Sequence, residues 1–123
     1  MIIGLGTDIV ELARIETIFN KFGHHFVKKI LNSAEIAALP IRPAAYLAGR
    51  FAAKEAAVKA LGTGFSGGIG PRDIEIACNA QGTPCLRFFN QADAHARSLG
   101  VTRSFLSISH ERSMAVAVVI LEE

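Results

Sequence analysis

Hydrophobic positions along the chain change period several times, and each change marks an element. Residues 2–7, IIGLGT, form a short apolar run with glycines, which predicts a buried strand. From there Ile9, Leu12, Ile15, Phe19 and Phe22 recur at helical spacing, with Glu11, Arg14, Glu16 and Lys21 on the other sides. Asp8 followed by Glu11 has capping-box spacing, so the helix is expected to open at Asp8 and close at Gly23. His24 and His25 read as loop residues before a short helix over 25–31. Asn32 or Ser33 can cap another turn or two up to Leu39, and PIRP at 40–43 breaks it. Pro43 suits the first turn of a long helix over 43–61.

The second half reads as turns and short strands. GTGFSGGIGPRD, 62–73, holds five glycines and a proline and is expected to be a flexible loop. DIEIAC alternates, NAQGTP turns and CLRFF is a second strand, which makes a hairpin. NQADAHARSLG predicts a helix capped by Asn90 and stopped by Gly100. RSFLSISH alternates, with Leu106 and Ile108 on one face and Ser107 and Ser109 on the other. ERS turns, and MAVAVVIL, apolar on both faces, reads as a central strand. Five strands and about five helices, with two late hairpins, predict an α+β fold. One domain over 1–123, a mainly antiparallel sheet with packed helices, accounts for the whole length.

The helix over 43–61 has two apolar faces. With about 100° per residue, Leu47, Phe51, Val58 and Leu61 share a bulky arc. Ala52, Ala53, Ala56, Ala57 and Ala60 cover the opposite side, so something is expected to lie close on the alanines. Glu55 and Lys59 fall at the seam, one turn apart. Lys54 lies inside the bulky arc and Arg50 at its far edge.

Composition narrows the class. Half of the 123 residues are hydrophobic and a fifth charged, which excludes a disordered chain and allows a sizeable core. The net charge of +2, with eight Phe, one Tyr and no Trp, gives no case for a nucleic-acid partner. Cys78 and Cys85 stand in apolar runs without metal spacing, which suggests reduced core thiols in a cytoplasmic protein. No basic leader and no apolar run of ~18 residues is present, so neither a signal peptide nor a membrane span is expected.

Candidate chemistry sits on the seam of the long helix and in the loop after it. Glu55 and Lys59 could form a simple i,i+4 pair, worth about 0.2–0.5 kcal/mol. A half-buried carboxylate costs more than such a pair returns, so a metal ion or ligand cation would be a stronger partner. GTGFSG, 62–67, formally matches G-x-G-x-x-G, but it follows a helix and leads toward a strand, which excludes a dinucleotide fingerprint. Glycines in such a loop still let backbone N–H groups approach phosphate oxygens. Asp8 can cap a helix and bind a metal at once, because a carboxylate has two oxygens. His110, at a strand end beside Ser109, is either a turn residue or a phosphate contact. Lys28 and Lys29, with Arg14 and Lys21, could form a basic helical surface.

Four motifs occur together: GLGTDIVELARI, GRFAAKEAAVKALGTG, DIEI…GTP and SISHERSMAVAVVI. In this order, and over nearly the whole length, the chain resembles the holo-acyl-carrier-protein synthase family, the small 4′-phosphopantetheinyl transferases. The resemblance implies transfer of the 4′-phosphopantetheine arm of coenzyme A to a serine of apo acyl carrier protein, in support of fatty acid biosynthesis. It also implies release of adenosine 3′,5′-bisphosphate, use of Mg²⁺, and a cytoplasmic homotrimer with active sites between subunits. By motif, Asp8 and Glu55 would be the magnesium ligands and Lys59 a phosphate contact. Arg50, Ser109 and His110 would touch the coenzyme, Gly64 would lie near its phosphates and Pro84 near its adenine. The helix carrying Arg14 would face the acidic carrier, with Phe26 and Lys29 nearby. Glu55, or a Mg²⁺-bound water held by Asp8, would accept the serine proton, and the sequence does not choose. Two rivals remain: a non-catalytic coenzyme A or nucleotide-binding module, which would use the same lysine and glycine loop without needing both acids, and a scaffold whose twice-apolar strand and helix drive oligomerisation.

Overall fold

A computed structural model describes residues 1–123. β1 (Ile2–Glu11), β4 (Arg103–His110) and β5 (Met114–Glu122) form one antiparallel sheet in the order β1-β5-β4. β2 (Ile74–Cys78) and β3 (Pro84–Phe88) form a separate antiparallel hairpin. β5 is central, as its two apolar faces predict. Its Ala115, Ala117, Val119 and Leu121 are buried, while Met114, Val116, Val118 and Ile120 alternate onto the other face and stay partly exposed.

The long helix, α4 (Ala44–Leu61), lies across the inner face of this sheet. All five alanines of its small face are buried. The chain approaches there closely enough to exclude any side chain on β1. A Cβ on Gly6 would stand 1.8 Å from the carbonyl oxygen of Ala56, and one on Gly4 2.0 Å from that of Ala60. The glycines of IIGLGT and the alanines of α4 are therefore one feature seen from two sides. Leu47, Val58 and Leu61 join the same core as Val27, Ile30, Leu31, Ile74 and Ile76.

Four helices surround that centre: α1 (Leu12–Phe22), α2 (His24–Ile30), α3 (Ser33–Ala37) and α5 (Asn90–Ser98). Asn32 caps α3 as expected, in a capping box whose other half is the Glu35 carboxylate. Gly23 turns the chain between α1 and α2 with φ +54°. One turn of 3-10 helix, Pro71–Asp73, closes the glycine loop. No helix is long and apolar enough to cross a membrane.

The structure corrects several boundaries. Asp8 does not cap a helix. β1 runs through it to Glu11, because β1 pairs with β5 along that length, Asp8 opposite Ala117 and Glu11 opposite Met114. Ile9 fits a period of two as well as one of 3.6, and alternation with Leu5 puts it on the outer sheet face. Asn90 does not cap α5. It is the first helical residue, with φ +53°, and its Nδ2 donates to Asp73 Oδ1 at 2.9 Å. His24 and His25 belong to α2 rather than a loop. Cys78 is exposed and Cys85 half-buried, not core thiols, because the β2–β3 hairpin sits at the edge of the molecule.

Candidate functional site

The predicted site residues occupy three places on the chain. Asp8, Glu55 and Lys59 share the first. Asp8 points inward from β1, in register with Ala117. Lys59 and Glu55 lie one turn apart on α4, about 40° from each other around its axis. Lys59 Nζ donates to Asp8 Oδ1 at 3.1 Å and to the Thr7 carbonyl at 3.0 Å. It does not pair with Glu55, so the expected i,i+4 pair gives way to a contact across 51 residues of chain. The close approach at Gly6 is what brings this part of β1 within reach of α4.

Glu55 keeps its proton to higher pH than an ordinary carboxyl. Partial burial is the main cause, the Asp8 charge adds to it, and Lys59 opposes both. The two carboxylates therefore act on each other with only one cation beside them. No group of three or more His, Cys, Asp or Glu side chains comes together anywhere, so an all-protein metal cage is absent. Two hard oxygen donors suit a small divalent cation that keeps waters or takes phosphate oxygens. Gly64, just beyond α4, has φ +59° and donates its N–H to Val58 O. The N–H groups of residues 65–68 donate to no backbone carbonyl.

Arg50 occupies a second place. It lies five residues before Glu55, hence about 140° around α4 and roughly 7.5 Å along it. Its guanidinium stacks on the Tyr46 ring at 4.1 Å, and one end reaches Cys78 Sγ at 3.9 Å. Arg50 Nε is buried without a hydrogen-bond partner. Pro84 is opposite Cys78 in the hairpin, so Arg50 and the GTP turn share a region. A cavity of about 310 Å³ opens here, lined by Tyr46, Arg50, Cys78, Glu75 and Arg87 among others. Tyr46 was not singled out from the sequence, and Cys78 only as an expected core thiol. Tyr46, one turn before Arg50 on α4, carries a readable signal, since aromatic and cation meet at that spacing.

Ser109 and His110 mark the third place, at the far end of β4. Adjacent strand residues project to opposite faces, so only one of them can face a given ligand from this chain. Ser109 is on the outer face, opposite Val116, and His110 on the inner, opposite Ala115. His110 lies two strands and two rows from Asp8, roughly 10 Å away across the sheet alone. Away from all of these, Phe26 and Lys29 line a groove of about 210 Å³ with Ile18, Phe22 and His25. Arg14, exposed, stands one turn before Ile18 on α1.

Sequence comparison then identifies the arrangement. Residues 4–119 match the profile of the 4′-phosphopantetheinyl transferase superfamily. The chain belongs to that family. The chain is 58% identical over 122 residues to the holo-[acyl-carrier-protein] synthase of Desulfovibrio desulfuricans, covering 99% of this chain and 98% of that protein. The transferase fold superimposes on the holo-[acyl-carrier-protein] synthase of Neisseria meningitidis with a TM-score of 0.93 at 40% identity, over 100% of both chains. It also superimposes on the Helicobacter pylori enzyme solved in complex with coenzyme A, with a TM-score of 0.86 at 30% identity, over 96% of this chain and 99% of that one. The resemblance read from the four motifs is thus borne out, as is the α+β fold of antiparallel sheets and packed helices.

Proposed function

We propose that this transferase moves 4′-phosphopantetheine from coenzyme A to a serine of apo acyl carrier protein, with Mg²⁺, and releases adenosine 3′,5′-bisphosphate. The observation that carries the reading is the meeting of Asp8, Glu55 and Lys59, from β1 and α4, at one place. Support for the donor comes from the Helicobacter pylori relative, whose structure holds coenzyme A.

Asp8 and Glu55 would hold the cation, which would supply charge neutralisation at the diphosphate. Lys59, already beside Asp8, orients a phosphate oxygen and shares its negative charge. The N–H groups of residues 65–68, which meet no backbone carbonyl, are further donors in the loop after α4. Arg50 and the turn ending at Pro84 hold the nucleotide end, with His110 or Ser109, not both from one chain, as a further contact. In the transfer, the serine Oγ forms a bond to the β-phosphorus while the bond to the bridging oxygen breaks. Glu55, or a water on the cation held by Asp8, would accept the serine proton.

Arg50, His110 and the acidic pair are separated on one chain, and this supports a homotrimer in which neighbours complete each site. The outer sheet face supports it too. Leu5, Ile9 and Phe105 are 64%, 62% and 49% exposed there, beside Val116, Val118 and Ile120. Arg14, Phe26 and Lys29 form the carrier-docking surface, basic and apolar as an acidic helical partner requires. The protein works in the cytoplasm, in support of fatty acid synthesis. Incubation with coenzyme A, Mg²⁺ and apo carrier tests the reading: the carrier gains the mass of the arm and the bisphosphate appears. A carrier of unchanged mass, with coenzyme A bound, would instead favour a binding module.

A further inference from the structure

Lys54 and Glu35 form an ion pair at 2.7 Å in which both side chains are 1% exposed. Neither is used in the reaction above. Burying two charges is not an efficient way to stabilise a core, since apolar replacements of similar volume often do as well or better. What the pair does have is a set of specific backbone partners. Lys54 Nζ also donates to the Pro71 carbonyl at 2.9 Å, at the end of the glycine loop. Glu35 Oε2 accepts from Ile76 N at 3.0 Å, on the strand that leads to Cys78. Glu35 Oε1 accepts from Asn32 N at 3.0 Å, closing the cap of α3. The Glu35 carbonyl accepts from the Tyr46 hydroxyl at 2.9 Å, and the Tyr46 ring is the platform under Arg50. Asn32 Nδ2 donates to Glu75 Oε1 at 2.9 Å, which ties in the wall of the Arg50 cavity.

Apart from the α3 cap, these bonds end on segments beside a proposed coenzyme contact: Pro71 at the end of the loop after Gly64, Ile76 and Glu75 on the hairpin with Pro84, and Tyr46 under Arg50. Resting on the transferase reading, we infer that Glu35, Lys54 and Tyr46 form a positioning cluster that sets the geometry of the coenzyme A pocket, the side-chain pair through Pro71 and Ile76 and the Glu35 carbonyl through the Tyr46 hydroxyl. The pair touches no substrate. Its effect is on where Arg50 and the hairpin stand relative to the glycine loop, and small displacements of such groups weaken ligand binding strongly. Hydrophobic filling of the same space would satisfy the core but would leave the Pro71 carbonyl and the Ile76 N–H without partners.

The test compares wild type with E35Q/K54M, which removes both charges together, and with Y46F, which removes only the hydroxyl link. Thermal midpoint, KM for coenzyme A and KM for the apo carrier are measured for each. The expected result for the folded double variant is a rise of about tenfold in KM for coenzyme A, with KM for the carrier within about twofold. Should the double variant not fold, Y46F decides, with a rise of about threefold expected for coenzyme A alone. A folded variant with unchanged KM for coenzyme A overturns the inference. An equal rise in both KM values overturns it as well, since that marks general loosening. If wild type transfers nothing, the transferase reading fails first. Calorimetric binding of coenzyme A to wild type and Y46F then decides the positioning role, and equal affinities overturn it.

Discussion

Lys59 Nζ lies 3.1 Å from Asp8 Oδ1, while Glu55, one turn away on the same helix, is left without a cation of its own. That choice of partner leaves two carboxylates facing a single ammonium, and burial, with the Asp8 charge, raises the Glu55 carboxyl above its ordinary range. A divalent cation, if bound as proposed, would relieve both at once.

Asp8→Asn and Glu55→Gln are each expected to lower metal-dependent transfer by at least ~100-fold with the fold intact. Carrier mass gain and circular dichroism check this together. Near-normal turnover by either variant would remove the acidic pair from the mechanism.

Glu55 also predicts a pH dependence of stability. Its folded pKa is raised above the ordinary 4.5, so between the two values the folded chain binds more protons than the unfolded one. Stability therefore falls as pH rises through that window, and ionised Glu55 is a standing cost above it. Glu55→Gln is expected to raise the thermal midpoint at neutral pH without divalent cations, and to lose that advantage below the ordinary 4.5. Adding Mg²⁺ should raise the midpoint of wild type more than that of the variant. A variant less stable than wild type at neutral pH would contradict the assigned burial.

Gly6→Ala is expected to be severe. The added methyl would stand 1.8 Å from the Ala56 carbonyl oxygen, which is backbone and cannot swing aside. A loss of about 3 kcal/mol in urea unfolding is expected, with transfer activity falling because β1 carries Asp8 away from α4. A mild effect on both would mean that β1 can lift off the helix at little cost.

Arg14→Glu is expected to raise KM for the carrier about tenfold while leaving that for coenzyme A nearly unchanged. The effect should weaken as salt is added, because Arg14 is exposed. Equal changes for both substrates would rule out this docking face.

Ile9→Asp tests the assembly. Ile9 is 62% exposed on the outer sheet face, so a monomer should tolerate the change. If neighbouring copies cover that face, sedimentation should show smaller species, and activity should fall because the sites are no longer completed. An unchanged mass with full activity would place the subunit contact elsewhere.

Much of this was legible from the residues in order. Periodicity and caps located the five strands and five α-helices, since a helix such as α4 and a strand such as β5 carry their own apolar pattern, but the 3-10 turn Pro71–Asp73 read as flexible loop. The end of β1 was misread because Ile9 satisfies both periods and Asp8 looks like a cap. Only pairing with β5 decides between them, and pairing is not local. The four motifs named the family because they are short and ordered along the chain. The partner of Lys59 was not legible, nor were the stacking of Arg50 on Tyr46 with Cys78 and the burial of Lys54 against Glu35. Spacing along one helix specifies which side chains share a face. It does not specify which distant strand that face will meet, so local order set the elements and the meeting of β1, α4 and the hairpin decided the site.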